Sequence, residues 1–193
     1  MTKARDNANG GLGLILIKPS SVVNGTDNGK GTVSFSSSAS TSLNNVFNST
    51  FENYKIIFNW TQNNTNQLYM RLRASSSDNS GANYGYSGFT SVANSATLTT
   101  SVNSDGNTVW RIGYATGSDV IGGACEVTVF APQNASRRTS YQSNYTWYDN
   151  TRFNNGWTAG GHNQLVSYDG ITFFCDGASP LITGTVSVYG IVK

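Results

Sequence analysis

Two segments near the middle of the chain restrict the folds open to it. From Gln67 to Ala74, Leu68, Met70 and Leu72 alternate with Tyr69, Arg71 and Arg73; from Asn53 to Trp60, Tyr54, Ile56 and Phe58 alternate with Lys55, Ile57 and Asn59. A period of two sends successive side chains to opposite faces, the pattern of a strand with one face buried. Tyr54, Ile56, Phe58, Leu68, Met70 and Leu72 are therefore expected to face inward, and Tyr69, Arg71 and Arg73 outward.

Further strands are expected at short intervals. Leu14 to Ile17 reads as a strand stopped by Lys18-Pro19, and Thr32 to Phe35 and Ser42 to Phe47 as strands around a Ser-rich bend. Thr61 to Asn66 reads as a polar hairpin loop. Thr97 to Val102 and Thr108 to Gly113 flank Asp105-Gly106, a hairpin signal. Ala124 to Ala131 places Cys125, Val127 and Val129 on one face before Pro132. Near the end, Tyr168-Asp169-Gly170 reads as a turn. The segment Leu181 to Val192 reads as the closing strand of a C-terminal hairpin, with Val186 and Val188 inward. Short strands at roughly ten-residue spacing imply an all-β, antiparallel sandwich of jelly-roll type. Residues 1–13, polar and punctuated by glycine, read as an arm or anchor, and residues 14–193 as one β-sandwich domain.

Composition narrows the functional classes. Charged residues make up 11% of the chain, against about 25% in ordinary soluble domains; Ser, Thr, Asn and Gly take their place. A net charge of +2 gives no footing for nucleic acid or an anionic membrane. The apolar run from Leu12 to Ile17 is too short to cross a bilayer, which needs roughly 20 residues, and a poor signal peptide. Synthesis in a cytoplasm without processing is the expectation. Cys125 and Cys175 lie in strand patterns without the spacing of a zinc site; they read as buried free thiols, with pairing left open. Most acidic residues sit in turns, and His162 is the single histidine. No nucleophile-elbow spacing or carboxylate pair points to catalysis. The expectation is no enzyme activity, no cofactor and no metal.

Several stretches, taken in order, carry a resemblance. They are Thr2-Lys3-Ala4-Arg5-Asp6, Gly31-Thr32-Val33-Ser34-Phe35, Ser42-Leu43-Asn44-Asn45-Val46-Phe47, Phe51-Glu52-Asn53-Tyr54-Lys55-Ile56-Ile57 and Leu68-Tyr69-Met70-Arg71-Leu72-Arg73-Ala74. The closing Ile182-Thr183-Gly184-Thr185-Val186-Ser187-Val188-Tyr189-Gly190 completes the set. Together they resemble the C-terminal β-domain of virion surface proteins of marine tailed bacteriophages, of the tail-fibre or head-decoration type. The resemblance implies a structural protein on the virion surface, assembled in the host cytoplasm, used as a tail-fibre, tip or adsorption subunit. Capsid decoration or a head fibre is the alternative. It further implies a homotrimer whose partners are other virion proteins, with a host-surface glycan as a candidate ligand. The β-domain begins almost at Met1, which favours a separate small subunit over the tip of a long shaft.

Two groups of residues are candidate contact sites. Lys3, Arg5 and Asp6 in the N-terminal arm are candidates for virion attachment. Trp147, Tyr148, Asn150, Arg152, Asn155 and Trp157 combine aromatic faces with amide and guanidinium groups. That combination suits a glycan or receptor, because rings give rigid apolar area and polar groups bond hydroxyls. The alternative is that Trp147, Phe153 and Trp157 fill the core or a subunit interface.

Overall fold

The computed structural model of the protein describes residues 13–62, 66–93, 98–115, 122–148, 151–176 and 181–192. Sixteen strands, and no helix, make up the regular structure of the described residues. They are β1 (Leu14–Ile17), β2 (Ser21–Val23), β3 (Thr26–Asp27), β4 (Thr32–Ser38), β5 (Ser40–Asn44), β6 (Asn53–Gln62), β7 (Asn66–Ala74) and β8 (Ser77–Asp78). The second half of the chain gives β9 (Tyr84–Val92), β10 (Leu98–Asn107), β11 (Trp110–Ala115), β12 (Gly123–Phe130), β13 (Ser140–Tyr148), β14 (Phe153–His162), β15 (Gly170–Cys175) and β16 (Ile182–Ile191). A large sheet runs β10-β9-β14-β13-β12-β6-β16-β4-β3, with β1 also on β16; a small sheet runs β11-β7-β15-β5-β2, with β8 on β7. All pairings are antiparallel. The fold is the all-β antiparallel sandwich expected from the alternation.

The core lies between the sheets and follows the period-two pattern. Tyr54, Ile56, Phe58, Leu68, Met70, Leu72, Val127, Val129, Val186 and Val188 are all buried. Burying such a side chain contributes about 1.5–3 kcal/mol, which is why the register of these strands is firmly set. Cys125 and Cys175 are buried free thiols. Burial pushes the Cys125 thiol up and that of Cys175 up to about 12, so both stay protonated at neutral pH.

Three local expectations differ from the structure. First, β6 and β7 are not a hairpin: β6 lies in the large sheet and β7 in the small one. The same holds for β15 and β16, so the C-terminal pair straddles the sandwich. Second, Asp105-Gly106 makes no hairpin turn. It lies within β10, where the pairing with β9 slips between Asn103 and Asn107 and Gly106 takes φ 121°. A glycine with positive φ suits a β-bulge as well as a tight turn. Third, Arg73 is buried rather than outward. Its guanidinium donates to Asn44 Oδ1 (3.0 Å), Ser42 Oγ (3.1 Å) and Thr172 Oγ1 (2.7 Å), and to Asp78 Oδ1 and the Ser76 carbonyl. The β7–β8 hairpin, turned by Ser75 and Ser76 at φ 50° and 64°, brings Asp78 to it. A buried charge is tolerable when paired and fully hydrogen-bonded.

Candidate functional site

Alternation in the large sheet determines what its outer face shows. Along β14, Phe153, Asn155 and Trp157 point out while Asn154, Gly156 and Thr158 point in; along β13, Asn144 and Thr146 point out while Ser143, Tyr145 and Trp147 point in. Two cross-strand rows follow from the register. One runs Ser91–Asn155–Thr146–Ala124–Asn59–Thr185; its neighbour runs Phe89–Trp157–Asn144–Glu126–Ile57–Ser187. The first consists of short, uncharged residues. The second carries a stacked pair, Phe89 and Trp157, with ring centroids 6.0 Å apart and planes 29° apart.

The height difference between these rows makes two shallow depressions. One, of about 460 Å³, is lined by Phe89, Trp157, Asn144, Asn155, Glu126, Ile57, Asn59 and their neighbours. The other, of about 470 Å³, lies across the short row and is bounded by Phe153, Thr61, Thr183 and Thr185. Among the described residues, Glu126 is the one charged side chain lining either depression, and Lys55 Nζ holds it at 2.6 Å.

The sequence-derived candidates separate on this face. Asn155 and Trp157 are on it, two residues apart on β14. Tyr148 lies at the end of β13, edge-on to Phe153 with centroids 5.0 Å apart. Arg152 is exposed beside that pair and donates to the Ala93 carbonyl at 3.3 Å. Trp147 corrects the expectation: its ring is 5% exposed and packs edge-on against Tyr114 at 5.3 Å. Odd and even positions of β13 face opposite ways, so Trp147 and Tyr148 do not share one surface. Of the remaining alternatives, Trp157 is half-buried and Phe153 is 68% exposed, so neither fills the core. Asn150, Lys3, Arg5 and Asp6 lie outside the described residues.

Sequence reasoning misses Phe89, Asn144, Ala124 and Glu126. It places Asn59 on the outward face of β6 without joining it to the site. The alternation of β12 contains the signal for Ala124 and Glu126. Nothing in the sequence specifies that β14 pairs with β9, the pairing that brings Phe89 beside Trp157.

Inside the same end of the sandwich sits a polar aromatic cluster. His162 is fully buried, edge-on to Tyr84 (4.4 Å) and Tyr168 (5.2 Å). The Gln164 backbone N–H donates to His162 Nδ1 at 3.3 Å and the Tyr168 hydroxyl lies 3.0 Å from it. Nδ1 is thus an acceptor and the neutral ring carries its proton on Nε2. Burial lowers its pKa to about 4. A histidine so enclosed cannot reach a substrate. Among the described residues, no group of three His, Cys, Asp or Glu side chains could hold a metal ion, and no helix is long and apolar enough to cross a membrane.

No family model and no curated protein matches the chain. Among solved structures, it is similar to the crystal structure of the SPRY domain of human HERC1 at 9% identity and a TM-score of 0.25, over 85% of this chain and 98% of that one. A likeness at that level adds nothing to what the strands themselves establish.

Proposed function

We propose that the protein is a non-enzymatic structural subunit on the surface of a tailed-bacteriophage particle, where it contacts the host envelope. The observation that carries this reading is the outer face of the large sheet, a polar surface of few charges with an exposed aromatic pair on a rigid scaffold. Ordered motifs resembling those of virion β-domains support it. In this reading, residues 1–13, with Lys3, Arg5 and Asp6, attach the subunit to the particle, and the sandwich projects outward. Assembly is as a homotrimer.

Exposed Leu14 and Ile15 on β1, with Leu98 on the edge strand β10, favour a second reading as a capsid-decorating or head-fibre subunit. Exposed apolar residues at sheet edges suit contacts between subunits.

Immunogold electron microscopy of intact particles tests both. Label on tail or fibre is expected; label on the head selects the second reading; unlabelled particles overturn both. Removing residues 1–13 is expected to leave a folded domain that no longer joins particles, and normal incorporation would move attachment into the sandwich.

A further inference from the structure

The two depressions on the outer face are one groove. Both include Asn59, Ala124 and Thr146, and these three are successive cross-strand neighbours on β6, β12 and β13. The row they belong to extends through Asn155 to Ser91 on β9 and through Thr185 on β16. It therefore crosses six strands, a span of about 24 Å at roughly 4.8 Å per step. Short side chains form its floor. Phe89 and Trp157 rise along one side and Phe153 along the other.

The chemistry of this groove selects its occupant. Among the described residues its floor has no charge, and the one carboxylate on its flank, Glu126, is paired with Lys55. Polyanions such as nucleic acid or sulfated glycans, and anionic lipid, need Lys or Arg clusters, and the described residues that line the groove include none. A peptide strand would gain most from backbone pairing at a sheet edge, whereas this groove runs across strands and offers side chains. Asn and Thr both donate and accept hydrogen bonds, which matches the hydroxyls of a sugar. A stacked Phe–Trp pair offers a broad apolar surface for the C–H faces of pyranose rings.

We infer that the groove over Asn155, Thr146, Ala124 and Asn59, beside Trp157, binds a neutral oligosaccharide several units long, lying across the strands. This deepens the host-contact reading and rests on it for biological meaning, but its test needs no virion. The purified full chain is titrated by calorimetry with neutral glucans, galactans and mannans graded in length, with heparin as the anionic control. Binding to at least one neutral series is expected, strengthening with length until the groove is filled. Trp157→Ala and Asn59→Ala, both on the solvent face, should each weaken that binding by about tenfold or more while leaving circular dichroism unchanged. Absence of binding to every neutral series, binding to heparin alone, or neutral-glycan binding that survives both substitutions overturns the inference. The two readings fail separately: unlabelled particles with intact glycan binding remove the virion assignment only, and labelled particles without glycan binding remove the groove assignment only.

Discussion

The two ends of the sandwich interior are built from different chemistry. Around β4, β5, β6, β15 and β16 the core is Val33, Phe35, Leu43, Ile56, Phe58, Phe173, Val186 and Val188. Phe58 stacks on Phe35 at 5.3 Å and meets Phe173 across the sheets at 4.8 Å. Around β9, β11, β13 and β14 the interior is instead Tyr84, Trp110, Arg111, Tyr141, Ser143, Thr158 and His162. The difference follows from β11. Its pairing with β7 slips between Arg111 and Gly113, and the carbonyls of Arg111 and Ile112 point into the sandwich. Tyr141 and Thr158 donate to the Arg111 carbonyl at 2.7 and 2.8 Å, and Ser143 to that of Ile112 at 2.6 Å. Trp110 Nε1 donates to the Gly161 carbonyl at 3.0 Å. Buried carbonyls must be satisfied, so one end of the sandwich is held by apolar packing and the other largely by hydroxyl-to-backbone bonds between the sheets.

Substitutions at each end should show this contrast. The largest effect is expected at the apolar end: Phe58→Ala should cost about 3–5 kcal/mol in urea unfolding, as a transfer loss plus an unfilled cavity. A cost under about 1 kcal/mol, the level of a surface change, would mean the Phe35–Phe58–Phe173 contact is not a keystone.

Acid should act on the other end. The His162 pKa falls from 6.5 to about 4 on folding, so the unfolded chain binds this proton more readily. Stability is unaffected by this group above pH 6.5, declines as pH falls towards 4, and levels off below it. Each tenfold difference in proton affinity between the two states is worth about 1.4 kcal/mol, so the loss is on the order of 3–4 kcal/mol. His162→Leu should flatten this part of the stability profile; an unchanged slope would assign it to other groups.

Ser143→Ala leaves the buried Ile112 carbonyl without its hydroxyl donor and should cost about 1–2 kcal/mol. If the variant is as stable as the parent protein, water has replaced the hydroxyl and the polar end is wetter than described. The smallest effect lies outside both ends, at the β7–β8 turn, where Ser76→Gly should raise stability by about 0.5 kcal/mol. Glycine adopts that left-handed conformation freely, and a lowered melting temperature would count against the assigned turn.

The same contrast explains what can be read from sequence. At the apolar end, alternation alone locates β6, β7, β12 and the inward residues of β16, because burial of Ile56 or Leu72 leaves no freedom of register. At the polar end, Tyr, Trp, Ser and Thr occur on both faces of β13 and β14, so side-chain type does not reveal direction. Trp147 and Trp157 look alike in sequence and face opposite ways. Arg73 is misplaced by alternation for a related reason: its partners Asn44, Asp78 and Thr172 come from three other strands. Pairings between distant strands also decide the candidate site, since Phe89 meets Trp157 only through the β9–β14 ladder.

Strand β16 has a consequence for how the chain reaches this structure. It pairs with β6 along one edge and with β4 and β1 along the other, joining residues separated by most of the sequence. Most links between successive strands also cross from one sheet to the other. Such connectivity places the domain among the high-contact-order proteins, for which folding takes milliseconds to seconds. No early portion of the chain can complete the large sheet by itself. Until β16 is inserted, the inner edge of β6, with its exposed backbone donors and acceptors, is open to pairing with other chains. Yield of native protein should therefore depend on concentration during refolding, and aggregation should compete at the stage when β16 is still unplaced.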